Sequence, residues 1–227
     1  MKAWKILAEA VAPGGGHLVL TQREQEFAIK VDGQLLMSSR AHGSEEAMAH
    51  AGLPDAPAGP ARVLIGGLGF GFTLAAVLAR VGPAARITVA EISSAVIDWN
   101  RGPLGPLAGH PLRDPRVQVA CADVAKSLGG AAPGFASILL DVDNGPQALT
   151  TPLNRRLYQP QGIAALFAAL APQGRLVVWS ASPDTSFAAR LRAAHFAVEV
   201  RSVPARSAAR GGRHTLFVAT RPRAPRP

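Results

Sequence analysis

The sequence predicts an α/β fold: a doubly wound, mostly parallel seven-stranded sheet with a small antiparallel β unit at its N-terminus. Three observations predict it. From Arg62 onward, short apolar runs alternate with helix-length segments, the pattern of parallel strands covered on both faces. The first of these runs, in "RVLIGGLGFGFTLAAVL" (62–78), ends in closely spaced glycines and passes straight into a helical pattern. Before Arg62 the rhythm is instead the short apolar–polar alternation of half-buried antiparallel strands.

Taken in order, "WKILAEAV", "HLVLTQ", "EFAIKVDG" and "QLLMSS" are the strands of the N-terminal unit, separated by the turn residues "PGGG" and "DG". Asp32-Gly33 between two such runs is a strong hairpin signal. "SEEAMAHAG" (44–52) reads as a short helix, with Ser44 placed to cap it, Glu45 and Glu46 in its first turn and Gly52 after its end. A proline-rich connector, "LPDAPAGPA", leads to the main sheet. There "RVLIGG", "RITVAE", "RVQVA", "ASILLDV" and "GRLVVWS" are the buried strands, with helices near 71–81, 93–101, 161–171 and 185–194. "FAVEVRSV" and "RHTLFVAT" follow each other across a short linker and read as an antiparallel pair that completes seven strands. The expected units are 1–40 (β unit), 41–220 (main domain) and 221–227 (a disordered basic tail, "RPRAPRP").

The 227 residues, 48% of them hydrophobic, are enough for one sizeable core. No apolar run reaches the roughly 18 residues of a membrane span. "MKAWKILAEAVAPGGG" has only a short apolar stretch, broken by Glu9, and does not fit a signal peptide. A lone cysteine, Cys121, excludes an internal disulfide and a cysteine-based zinc site, and at a strand end it is expected buried and inert. These features lead to the expectation of a soluble cytoplasmic protein without a metal. The net charge of +9 raises the question of nucleic acid, but no acidic residue follows Glu199 while seven arginines do. Only four of the 24 basic residues are lysines, an arginine bias that a GC-rich genome also produces. Nucleic acid therefore stays a minor possibility.

The chemistry concentrates at the expected C-terminal ends of the parallel strands, where open α/β sheets bind ligands. Gly67, Gly69 and Gly71 form G-x-G-x-G at a strand–helix junction. The dinucleotide fingerprint fails, since its third glycine position is Phe72, and the lysine and hydroxyl residue of a phosphate-binding loop are missing. The spacing suits a nucleoside without pyrophosphate, such as S-adenosylmethionine, although a merely structural turn also explains it. Glu91 ends the next strand, where an acid accepts hydrogen bonds from ribose hydroxyls. Asp123 follows the third strand, placed either for an adenine amino group or to cap the helix "VAKSL". "ILLDVDNGP" brings Asp141 and Asp143 to one side of the fourth strand end, where two carboxylates can bind a cation or amine or supply a general base. His42, His50 and His110 sit at loops or helix ends and read as structural, as do Trp4, Trp99 and Trp179.

The whole pattern resembles the spermidine synthase (aminopropyltransferase) family, from about Val31 to Ala219. The resemblance is carried by "VDGQLLMSSR" before the acidic helix, "LIGGLGFG", "VAEISSAVIDWNR", "ADV", "ILLDVDNGP" and "LYQPQGIAALFAALAPQGRLVVWSAS". It implies a Rossmann-like, class I methyltransferase-like domain behind the β unit. It also implies transfer of an aminopropyl group from decarboxylated S-adenosylmethionine to an amine, and a homodimer. By this resemblance Gly67, Gly69, Gly71, Glu91 and Asp123 hold the nucleoside and Asp141 is the base. Asp143 or Asn144 is then the second acid position, while Glu46 and Tyr158 belong to the amine site.

The departures fall on the amine side. The family's D-S-S-D-P is shortened to "DVDN" before its G-P. Its glutamine after the D-G turn falls at Leu36 or Met37, and its tyrosine falls near Ser44. The glutamine after the fifth strand is replaced by Trp179 or Ser180. Two other functions therefore stay open: a methyltransferase using S-adenosylmethionine on an unknown acceptor, and a non-catalytic homologue that keeps only the nucleoside pocket.

Overall fold

The computed structural model describes residues 2–40, 42–55, 59–128, 134–142, 146, 155–205 and 212–223. Strands β1 (Lys5–Val11), β2 (His17–Arg23), β3 (Glu26–Val31) and β4 (Gln34–Ser38) form a four-stranded antiparallel sheet in chain order. Val31 pairs with Gln34, so Asp32-Gly33 is a two-residue hairpin loop, with φ of 50° and 79°. Positive φ at both positions is what matches such a loop to the strand twist, which is why Asp-Gly is found there. The Asp32 carboxylate also accepts a 2.7 Å hydrogen bond from the His17 amide, tying the hairpin to β2.

Helix α1 (Gly43–Gly52) leads to the main sheet. Its remaining elements are β5 (Arg62–Gly66), α2 (Phe72–Leu78), β6 (Arg86–Glu91), α3 (Ser94–Arg101), β7 (Val117–Cys121), α4 (Val124–Leu128) and β8 (Phe135–Leu140). These are followed by α5 (Pro160–Ala169), β9 (Leu170–Ser180), α6 (Thr185–Ala193), β10 (Ala197–Pro204) and β11 (Arg213–Thr220). The strand order is β10-β11-β9-β8-β5-β6-β7, with β11 antiparallel to both neighbours and the central strands parallel. The mixed α/β class with seven strands and a separate small sheet is as expected.

Side chains alternate across the central strands and divide the core in two. Val63, Ile65, Ile87, Val89, Leu139 and Val177 join α1, α2, α3 and the N-terminal sheet on one face. Leu64, Ile138, Leu140, Leu176 and Val178 join α4, α5 and α6 on the other. The nearly continuous apolar reading of these strands follows from burial on both faces. No helix among the described residues is long and apolar enough to cross a membrane.

Three local expectations are corrected. Ser44 lies inside α1 rather than capping it; the cap is His42, which supplies no side-chain cap bond, because Ser44 turns inward and is buried. Cys121 is exposed, since β7 is the edge strand and lacks a neighbour on its outer side. Arg221, assigned to the basic tail, is instead held on the end of α5: its guanidinium donates to the carbonyls of Phe167 and Ala168 and lies over the Phe167 ring. A cation is favoured there by the unpaired carbonyls of a helix C-terminus. Residues 224–227 lie outside the described residues.

Candidate active site

The site is built where the strand order reverses about β5. Past its end the chain runs Gly66-Gly67-Leu68-Gly69-Phe70-Gly71 and enters α2. Gly67 has φ of 89°, and a Cβ there would collide with the Asp141 carbonyl oxygen. Only glycine allows the loop to turn so close to the β8 end. That contact is fixed from the other side, because the Asp141 amide donates 2.9 Å to the Gly66 carbonyl.

Glu91, buried at the end of β6, clamps the same loop. Its carboxylate accepts from the Leu68 amide at 2.9 Å and from the Ser93 amide at 2.8 Å. Burial raises its pKa and these amides oppose the rise. Each oxygen keeps a second lone pair, so a ribose hydroxyl can still be accepted. Asn100 of α3 supports the loop from below, donating 2.8 Å to the Gly69 carbonyl. Asp123 caps α4, its Oδ1 accepting 2.8 Å from the Ala125 amide, which leaves Oδ2 as the acceptor for a ligand. Glycine loop, Glu91 and Asp123 therefore stand together at the ends of β5, β6 and β7.

Asp141 stands just past β8, beside the loop, and receives a 3.3 Å hydrogen bond from the Thr73 hydroxyl of α2. Burial pushes its carboxyl up to about 6. Its electrostatic partner is Glu45, on α1, pushed up to about 7 by burial and by the Asp141 charge. Two acids whose charges interact in this way titrate as a pair and hold a proton near neutral pH. Glu45 also accepts 2.7 Å from the Ser44 hydroxyl. Two half-buried acids whose charges interact suit a cation that brings its own charge, such as a protonated amine.

The remaining candidates lie elsewhere. Glu46 points outward and pairs with His42 at 3.2 Å, while the His42 ring stacks on Phe72 at the mouth of α2. Tyr158 is buried on the opposite face of the sheet, edge-on to Phe187 at 5.5 Å. Asp143 and Asn144 lie outside the described residues. No group of three or more histidine, cysteine or acidic side chains gathers among the described residues.

Glu45 was missed, yet the helical period carries its signal. Glu45 lies three and four residues before Met48 and Ala49, both buried, whereas Glu46 shares its face with His42 and the exposed His50. Thr73 carried no comparable signal. Met37, at one position for the missing glutamine, reaches the glycine loop: its sulfur lies 3.6 Å from where a Gly69 Cβ would be. The last strand of the β unit thus reaches the glycine loop.

No protein-family model matches the chain. Polyamine aminopropyltransferases of Mycobacterium tuberculosis and Mycobacterium bovis are 30% identical to it over 171 residues, 74% of this chain. The chain spans 31% of their length, less than a third. Among solved structures, a spermidine synthase from Thermotoga maritima superposes with a TM-score of 0.77 at 20% identity, over 97% of this chain and 74% of that one. A spermidine synthase in complex with the transition-state analogue AdoDATO gives 0.74 at 19%, over 97% and 73%. Human methyltransferase-like protein 13, in complex with SAH, gives 0.58 at 22%, over 82% and 83%.

Proposed function

Taking as premise that this chain is a spermidine synthase-like homologue of the polyamine aminopropyltransferases, with a class I methyltransferase-like fold, we propose that it is a transferase. In this reading it moves an aminopropyl group from decarboxylated S-adenosylmethionine to an amine. The observation that carries the reading is the position of Asp141: a half-buried carboxylate with raised pKa beside the glycine loop, its charge felt by a second acid, Glu45. The relatives' names, and the adenosyl compounds named for two of the structural neighbours, support it.

The loop of Gly67, Gly69 and Gly71 would hold the adenosyl group, with Glu91 accepting from the ribose and Asp123 Oδ2 from the adenine amino group. Glu45 and Asp141 draw in the cationic acceptor and exclude neutral ones. Asp141 takes one proton from its ammonium, freeing the nitrogen lone pair. That pair attacks the carbon next to sulfur in line with the C–S bond, whose electrons leave with sulfur as a neutral thioether. The reaction is then mostly positioning and one proton transfer.

Methyl transfer is the second reading, favoured by the superposition on a methyltransferase-like protein. Calorimetry with S-adenosylmethionine and its decarboxylated form separates the two, because they differ by one carboxylate. Two acids facing the donor should reject that carboxylate, so tighter binding of the decarboxylated compound is expected. Tighter binding of the carboxylated one would move the assignment to methyl transfer, and binding of neither would overturn both.

A further inference from the structure

Two hydrogen bonds lead from Glu45 to the last strand of the sheet. The Ser44 hydroxyl donates 2.7 Å to Glu45, and its oxygen lies 3.0 Å from Nδ1 of His214 on β11. Ser44 is 2% exposed, whereas His214 is half-buried and reaches the surface. The His214 ring is held edge-on to Trp179 of β9, with centroids 4.6 Å apart. A buried serine between an acid and a histidine, reached from two distant parts of the chain, is not needed to pack α1 on the sheet. Met48, Ala49 and Ala51 already do that.

We propose that Glu45, Ser44 and His214 form a proton path from Asp141 to solvent, with His214 as its outer, positioning group. The proposal rests on the aminopropyl-transfer reading, whose stoichiometry releases a proton. The acceptor enters as an ammonium and leaves as a secondary ammonium, so one proton per turnover must be discharged. Asp141 receives that proton, and Glu45, which feels the Asp141 charge, takes it up through solvent between them. The Glu45 carboxylic acid then donates to the Ser44 oxygen while the Ser44 hydrogen moves to His214 Nδ1. The imidazolium so formed releases its Nε2 proton to water; exchange with solvent then returns the neutral ring to its Nε2–H tautomer, and rotation of the Ser44 hydroxyl toward the bare Nδ1 resets the chain.

The electrostatics favour the outermost step. Burial raises Glu45 to about 7 and lowers His214, so the passage from acid to imidazole runs uphill while the imidazolium gives its proton readily to water. The groups facing His214 are Ser44 from α1, Trp179 from β9 and Val203 opposite it on β10. Its charged neighbour in sequence, Arg213, is turned onto Ser202. Glu45 faces Asp141, Ser44 and Glu46.

The test has two arms on the purified chain. In the first, NMR follows the titration of His214 in the wild type, Ser44→Ala and Glu45→Gln. Both substitutions should move its midpoint, and Glu45→Gln should move it to lower pH because an anion is removed. An unchanged midpoint in both variants would overturn the path, whatever reaction the protein performs. In the second, turnover with decarboxylated S-adenosylmethionine is measured for His214→Gln and His214→Ala. A roughly tenfold fall in kcat at constant KM, recovered in His214→Ala by added imidazole, is expected of a proton path. Wild-type kcat and pH profile in both variants would refute it, and so would a loss that imidazole leaves in place in a folded variant. A wild type without turnover on any amine would end the aminopropyl reading instead, and the titration arm alone would then decide whether the three groups are coupled.

Discussion

The two halves of the site are made in different ways. The half proposed for the nucleoside is closed on itself: Glu91 is bonded to two amides, Asp123 caps its own helix, and Asn100 holds the Gly69 carbonyl. The half proposed for the acceptor is held under electrostatic tension, with Asp141 and Glu45 half-buried, their charges interacting, and both raised toward neutrality. One half is a rigid cradle whose acids are already satisfied. The other stores unfavourable charge that a cationic ligand relieves. Stability is invested in the first half, and chemistry is placed in the second.

The largest expected effect breaks this comparison from the chemical side. Asp141→Asn should lower kcat by about 10²–10⁴-fold while calorimetry shows donor binding within a few-fold of wild type. Equal losses in binding and turnover would mean that Asp141 belongs to the cradle. Next comes Gly67→Ala, which forces a Cβ into the Asp141 carbonyl at a positive φ. Donor affinity should fall by at least about tenfold with a lower melting temperature, each such strained residue costing roughly 1–3 kcal/mol.

A third effect sharpens the contrast through pH. The pair is protonated more readily in the folded chain than in the unfolded one, so its contribution to stability is present in acid. That contribution is lost as pH rises through about 6 to about 7. Melting temperature should therefore decline across that window, and Glu45→Gln should flatten the decline and raise the melting temperature at pH 8 by a few degrees, roughly. The same variant should shift the acid limb of the rate profile to lower pH, because one of two like charges has gone. Smallest of all, Glu46→Gln should change stability by less than about 0.5 kcal/mol, measured by thermal melts, since Glu46 is exposed and its ion pair is with a half-exposed histidine.

The same contrast governs what the sequence alone makes legible. The cradle is read easily because its parts are local: glycines at a strand end, an acid at the next strand end, an Asp-Gly hairpin. The acceptor half depends on residues far apart in the chain, and the family register favours Glu46 where the helical face favours Glu45. Ser44 was misread for a related reason: its type suits a cap, but its partners, Glu45 and His214, are visible only once α1 lies on β11. Cys121 was misread because an apolar strand sequence does not say whether the strand will be central or at the edge. Arg221 was misread because nothing in "RPRAPRP" announces that the end of α5 lies within its reach.

The strand order has a consequence for how the chain is born. β11 inserts between β9 and β10, although it is made after both. As the polypeptide leaves the ribosome, β9 must wait with an open edge and β10 with no strand to pair. Both present unpaired backbone groups until Thr220 has emerged. That interval is when a nascent chain is most open to joining another nascent chain, or a chaperone, in place of its own last strand. Since β11 also carries His214, the sheet is sealed and the proposed exit for the proton is installed by the same late event.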